Sequence, residues 1–287
     1  MIITAVLNQN PDLFYYQGYH DVVSVFLLTL GENLGYHCAN IASKYLIKDF
    51  MLETFEMGVF PALDLTSKLI QLVDMDLWNL IEQSGGQPNF ALSWILTWFS
   101  HDIDNLEKVQ LVFDACLATH PLFNCYITVA QILMSKNAIL GDDINEDFDP
   151  DFAEHPPEIK AFIVFKDMRD NQKFQIEEAI KLAHTFYEKY SPEHVNKLIQ
   201  DEQRQEQEAA KKATPGNHQI QRQRHLFSAN SPCLRYEMER MYLSNKKLIV
   251  YEDSIIPELT GRVQFGLTVL SVLGVALLSY QVMLRAQ

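Results

Sequence analysis

Phe90–Ile103 reads FALSWILTWFSHDI. Its large side chains are Phe90, Leu92, Trp94, Ile95, Leu96, Trp98 and Phe99, and on a helical wheel they leave almost no polar face. A helix that is apolar nearly all round belongs in an interior, so this stretch predicts a helix central to the core. The next elements outward follow the same period. Leu106–Leu117 predicts a helix with Asn105 as its N-cap. Pro121 opens a further one over Leu122–Met134. On the N-terminal side, Trp78, Leu80 and Ile81 form a helix capped near Asp74. Pro61 is read as opening a helix that carries Leu63, Leu65, Leu69, Ile70, Leu72 and Val73. Val22, Val23, Val25, Phe26, Leu27 and Leu30 predict a mostly buried helix after Asp21. Helical patterning returns over Ile159–Met168 and Phe174–Tyr190. Period-two alternation is missing over any useful length. The fold class is therefore all-α, with Trp94, Trp98, Phe99 and Phe113 together in one helical core.

The totals agree with a folded chain. Of 287 residues, 48% are hydrophobic and 21% charged, enough to build a sizeable core. The net charge of −14 repels phosphate backbones and argues against nucleic acid as a partner. Cys38, Cys116, Cys125 and Cys233 form no CxxC pair and no zinc or disulfide framework, so they read as reduced, mostly buried thiols. Residues 141–158 hold eight acidic side chains and no lysine or arginine. They do not fit the ligand spacing of a calcium-binding loop and read as a solvated charged loop.

The N-terminal run MIITAVLNQNPDLFYYQGYHD lacks the basic n-region of a signal peptide. It reads as the middle of a helix and suggests a domain missing its first part. At the other end, Val263–Leu284, VQFGLTVLSVLGVALLSYQVML, has no charged residue. At ~1.5 Å per residue it is long enough to cross a ~30 Å hydrocarbon core. Lys246, Lys247 and Arg262 precede it and Arg285 follows. The positive-inside bias then leaves the bulk of the chain in the cytosol, with this segment as a single-pass tail anchor. Gln200–Arg224 is almost free of large apolar residues, its first half suited to a solvated helix, and Thr214-Pro215-Gly216-Asn217 is a stop signal. The organisation is thus a helical domain over 1–140, an acidic loop and helical extension over 141–199, a polar linker with a short helix over 200–245, and the anchor at 263–284.

Tyr15-Tyr16-Gln17-Gly18, between Asn10-Pro11 and Tyr19-His20-Asp21, predicts a tight turn between helices. Gly18 permits positive φ there. Gln17 then projects an amide that both donates and accepts, a group able to orient a water without changing charge. His20-Asp21, His37-Cys38 and His101-Asp102 offer no set of ligands with metal spacing such as HExxH. His101, on an apolar helix, reads as a core histidine. With no GxxxxGK[ST] and no GxGxxG, no nucleotide-binding loop is present.

NPDLFYYQGYHDVVSVFLL resembles the glutamine-finger segment of the TBC domain, the GTPase-activating domain for Rab proteins. The family pattern YxQG is met by Tyr15, Gln17 and Gly18. FALSWILTWFSHDIDNLEKVQLVFD resembles later helices of the same domain, with the Trp98-Phe99 pair ahead of a helix reaching Phe113-Asp114. The likeness covers roughly Met1–Leu140. It implies a helical TBC-type domain that accelerates GTP hydrolysis on a Rab-family small GTPase. Gln17 would position the attacking water, and a partner arginine would neutralise the transferring phosphoryl group. GTP and magnesium would belong to the Rab, so the chain needs no cofactor of its own. The arginine of the family lies in an IxxDxxR motif upstream of YxQG, and residues 1–14 contain no arginine. Leu198–Arg204 imitates that spacing from within the polar stretch and reads as a chance match. Combined with the anchor, the resemblance implies the endoplasmic reticulum or early Golgi membrane.

Overall fold

A computed structural model describes residues 1–83, 87–140, 154–155 and 157–213. Most of the acidic stretch 141–158, the polar stretch beyond Ala213, Cys233 and the apolar run 263–284 lie outside them. Among the described residues there is no strand, and no helix is long and apolar enough to cross a membrane.

The helices are α1 (Ile2–Gln9), α2 (Tyr19–Tyr45), α3 (Phe55–Val73), α4 (Met75–Gln83), α5 (Leu92–Thr97), α6 (Leu106–Ala118), α7 (Phe123–Met134), α8 (Lys136–Leu140), α9 (Pro157–Asp170), α10 (Ile176–Lys189) and α11 (Pro192–Ala213), with 3₁₀ turns at Lys48–Met51 and Asn89–Ala91. The N-terminal run is a helix from Ile2 onward, packed on α2. Several expected boundaries hold. Asn105 caps α6 through its side chain, which accepts from the Lys108 N–H at 3.1 Å. Asp74 Oδ1 accepts from the Leu77 N–H at 2.8 Å and caps α4.

Pro61 does not open its helix. α3 starts at Phe55 and carries Pro61 inside, although the ring removes one backbone donor. The turn ahead of it is pinned by close packing, because at Gly58 a Cβ would lie 1.6 Å from the Asp49 carbonyl oxygen. Only glycine lets α3 approach the Lys48–Met51 turn so closely. The helix read at Val22–Leu30 is the first arm of α2, which breaks at Gly31 and continues to Tyr45.

The helix buried all round is α7. Every residue from Phe123 to Ile132 is buried, with α3 and α10 packed against it. Phe90–Ile103 is buried as expected but is not one helix. α5 ends at Thr97 because Trp98 (φ 50°) and Phe99 (φ 65°) both adopt the left-handed region. A continued helix would send the two rings off one element about 100° apart. The turn instead sends them to different walls of the core. Trp98 meets Phe113 of α6 edge-on at 5.1 Å. Phe99 stacks on Trp94 at 5.1 Å and faces Phe174 ahead of α10. The carbonyls at the C-terminal end of α5 need donor partners. Asn124, buried in α7, donates to the oxygens of Trp94 and Ile95 at 2.8 and 2.9 Å. Trp94, Trp98, Phe99 and Phe113 are all buried in this one core.

The first part of the stretch read as linker is helical. α11 buries Val195 and Ile199 against the core, and Lys68 of α3 donates to Glu202. From Arg204 to Ala209 its residues are exposed, as a solvated helix would be.

Candidate functional site

Asn10 ends α1 and begins the loop that carries Gln17. Its amide donates to the Val6 carbonyl and to Asn40 Oδ1, each at 2.7 Å, which joins the loop to α2. The Phe14 N–H donates to the Met51 carbonyl at 2.7 Å. Leu13 is buried, Phe14 and Tyr15 are exposed, and Tyr16 is buried again. Tyr16 Oη donates to the Leu96 carbonyl at 2.8 Å, and burial pushes its phenol well up, so it stays a neutral donor. Gly18 takes φ 106°, the positive value expected of it. A Cβ there would lie 2.7 Å from Thr97 Cγ2. α2 starts at Tyr19, whose ring is fully buried and whose hydroxyl meets Ser43 Oγ at 2.7 Å.

Gln17 is therefore an exposed residue between two buried ones, Tyr16 and Gly18. Both neighbours rest on the end of α5. The site predicted from Tyr15, Gln17 and Gly18 is brought together with Leu96 and Thr97 of a distant segment.

An exposed polar cluster borders the glutamine. Tyr15 Oη lies 3.1 Å from His20 Nδ1. Asp21 stands 3.5 Å from His20 Nε2 and 3.1 Å from His101 Nδ1. His101 was expected in the core; it is on the surface, because the left-handed turn after α5 redirects the chain outward. Behind it, Asp102 is buried, and desolvation raises its carboxyl above the usual range. Its Oδ1 lies 4.0 Å from Arg169 Nη1, while Oδ2 has no hydrogen-bond partner among the described residues. Asp114, close to the same core, is pushed up to about 6 by burial. Among the described residues no group of three or more His, Cys, Asp or Glu side chains is placed to hold a metal ion. Cys38, Cys116 and Cys125 are buried free thiols. Burial raises Cys38 to about 11 and Cys125 to about 12, far from thiolate reactivity.

The arginines among the described residues are Arg169 and Arg204. Arg204 pairs with Asp201 at 2.6 Å within α11, a helix-surface pair of the kind such spacings produce routinely. No local pattern signals the polar links of Asp21 to His101 and Asp102 to Arg169, because they join segments far apart in the chain.

Residues 1–140 match the model of the Rab-GTPase-TBC domain. Over 142 residues the chain is 35% identical to TBC1 domain family member 20 of Bos taurus, covering 50% of this chain and 35% of that protein. It is 32% identical over 139 residues to the GTPase-activating protein gyp10 of Schizosaccharomyces pombe, covering 48% and 37%. The GTPase-activating protein GYP8 of Saccharomyces cerevisiae is 29% identical over 178 residues. The chain thus spans about a third of the length of the curated relatives it matches. Gln17 and its neighbours lie inside the matched segment.

Proposed function

With residues 1–140 matching the Rab-GTPase-TBC domain, we propose that this chain acts on a Rab-family small GTPase and that Gln17 aligns the attacking water for GTP hydrolysis on that partner. The observation that carries the reading is the exposure of Gln17 between the buried Tyr16 and Gly18. A side chain that acts by position needs a backbone that does not move. The Tyr16–Leu96 hydrogen bond and the Gly18–Thr97 contact supply one. Exposed Phe14 and Tyr15 give the partner apolar surface beside the amide. GTP and magnesium are contributed by the Rab. GTPase-activating relatives give this reading its class of activity.

A second reading is a Rab-binding module without catalysis. It is favoured by the engagement of both arginines among the described residues, Arg169 with Asp102 and Asp170 and Arg204 with Asp201. An arginine finger contributes ~10³–10⁵ in rate, and Lys44 or Lys48 lacks the planar fork that suits phosphate oxygens. Single-turnover hydrolysis by a panel of GTP-loaded Rabs separates the two. The chain alone is expected to accelerate weakly, a form extended N-terminally to include the arginine motif strongly, and Gln17→Ala to remove most of that acceleration. Binding of a Rab with no acceleration by either form would leave the scaffold reading.

For location, the proposal is membrane attachment through residues 263–284 at the endoplasmic reticulum or early Golgi, with the helical part in the cytosol. Its basis is the length and apolarity of that run. Deleting residues 263–287 should move the chain to the soluble fraction. Release of the intact chain by alkaline carbonate would overturn the anchor.

A further inference from the structure

Trp98 and Phe99 hold left-handed backbone that side chains rarely adopt. Strain of this kind persists only where the surroundings over-determine it. One wall of that surrounding is the aromatic core. The other is the turn between α9 and α10, which lies outside the matched segment 1–140. There Gln172 itself has φ 51°, a position after a helix where glycine is the usual residue. Its amide is fully engaged. Oε1 accepts from the Asp104 N–H at 2.9 Å. Nε2 donates to the Asp102 carbonyl at 3.1 Å and to the Arg169 carbonyl at 2.7 Å. Lys108 Nζ adds a bond to the Phe174 carbonyl at 3.0 Å, and Arg169 faces Asp102.

The backbone gripped by Gln172 is the same turn that supports the glutamine loop. Leu96 accepts from Tyr16, Thr97 abuts Gly18, and His101 meets Asp21. We propose that Gln172 is a positioning residue for Gln17: it clamps residues 102–104, and through the strained 98–99 turn it fixes the loop that presents the glutamine. The inference rests on the reading of Gln17 as the acting group. It assigns to the helical extension a role in the site rather than a merely adjacent packing layer. A glutamine in left-handed backbone is costlier than a glycine, and the three hydrogen bonds of its amide are what glycine could not supply.

Two variants of the full chain test this. Gln172→Gly accepts the positive φ and deletes the amide. Gln172→Glu keeps the acceptor and loses the donors. Amide hydrogen exchange is read at Asp102 and Ile103, which bond to the Phe99 carbonyl, and at Tyr19 and Asp21, which bond to the carbonyls of Tyr16 and Gly18. The expected result is faster exchange at both places in Gln172→Gly, an intermediate effect in Gln172→Glu, and unchanged protection in α7. With the same substitution in the N-terminally extended form and a responsive GTP-loaded Rab, kcat should fall about 10–100-fold with KM retained, the cost of a small misplacement. If Asp102 and Ile103 open while Tyr19 and Asp21 stay protected, the clamp does not reach the loop and the inference fails. If Gln172→Gly exposes α7 as well, the milder Gln172→Glu decides by the same comparison. Gln17→Ala separates the two readings. Loss of activity in Gln17→Ala with full activity in both Gln172 variants overturns the positioning role alone. Full activity in Gln17→Ala overturns the catalytic reading, and the exchange data then stand or fall by themselves.

Discussion

Two segments meet at the site, the loop Asn10–Gly18 and the turn Thr97–Asp104, and both contain left-handed backbone. In the loop it falls on Gly18, where there is no Cβ to clash. In the turn it falls on Trp98 and Phe99, two of the bulkiest residues in the chain. The loop exposes Gln17, while the turn buries both its rings completely. The difference teaches how the site is divided. The loop carries the proposed water-positioning amide and takes the low-strain conformation. The turn holds the strain and is kept in place by aromatic contacts with Phe113, Trp94 and Phe174.

If the turn is held by burial, removing a ring should have the largest effect. Trp98→Ala is expected to cost ~3–5 kcal/mol. For a chain of this size that lowers Tm by roughly 2–4 °C per kcal/mol. An unmoved melting transition would mean that the indole does not hold the turn, and the contrast with the loop would collapse.

Gly18→Ala attacks the other side. It forces a side chain into φ 106° and brings its Cβ to 2.7 Å from Thr97 Cγ2. The expected loss is ~1–3 kcal/mol. Thr97→Ser removes Cγ2 but keeps a hydroxyl for the Ser93 carbonyl and the His101 N–H. Combined with Gly18→Ala it should recover the steric part and leave the backbone part. A double-mutant cycle on thermal unfolding measures that coupling. Strict additivity would show that the loop and the turn do not press on each other.

This contrast also sets what was legible in the sequence. Gly18 announces its own conformation, and the helix starts at Asp74 and Asn105 announce theirs through short polar caps. The all-helical class follows from periodicity. The break after Thr97 was not legible, because nothing in TWFSHDI lacks helical propensity strongly enough to stop a helix. It is imposed by the rings that receive the two side chains, Phe113 of α6 for Trp98, and Trp94 with Phe174 ahead of α10 for Phe99. That same break put His101 on the surface against expectation. Pro61 misled for a similar reason: the contact at Gly58 holds a turn of helix ahead of the proline. Gln17, Tyr15 and Gly18 were singled out by their motif and its resemblance, and the exposure of Gln17 between buried neighbours depends on contacts with Leu96 and Thr97 that the motif does not contain. Gln172 carried no local pattern, since its role depends on backbone groups of residues 102 and 104.

Asp102 gives the turn a pH dependence. Burial raises its carboxyl, with the nearby Arg169 and a bond to Ser93 opposing. The folded chain therefore holds this proton to higher pH than the unfolded chain, whose carboxyl titrates near ~3.9. Linkage then makes the contribution of this group to stability greatest below ~4 and diminishing as pH rises through the folded value. Asp102→Asn cannot ionise and should remove that slope. The variant is expected to be more stable than the parent at pH 7 and to converge with it near pH 3, in thermal melts across that range. A variant less stable than the parent at pH 7 would show that the charge pair with Arg169 outweighs burial.

The smallest effect expected is at the polar link between the two segments. His101 Nδ1 and Asp21 Oδ2 are 3.1 Å apart, but their side chains are 55% and 20% exposed. Exposed pairs contribute ~0.2–1 kcal/mol, and 1 M salt, with a Debye length of about 3 Å, screens most of that. Single substitutions mislead here. Asp21 also pairs with His20 and lies in the first turn of α2, where a negative charge complements the helix dipole. A cycle of His101→Ala and Asp21→Ala cancels those other contributions and isolates the link. A coupling within the expected range that fades with salt would leave Tyr16–Leu96 and Gly18–Thr97 as the contacts that join loop to turn. A coupling above ~1.5 kcal/mol, insensitive to salt, would put the pair in a desolvated setting and make charge rather than packing the means by which the turn holds the glutamine loop.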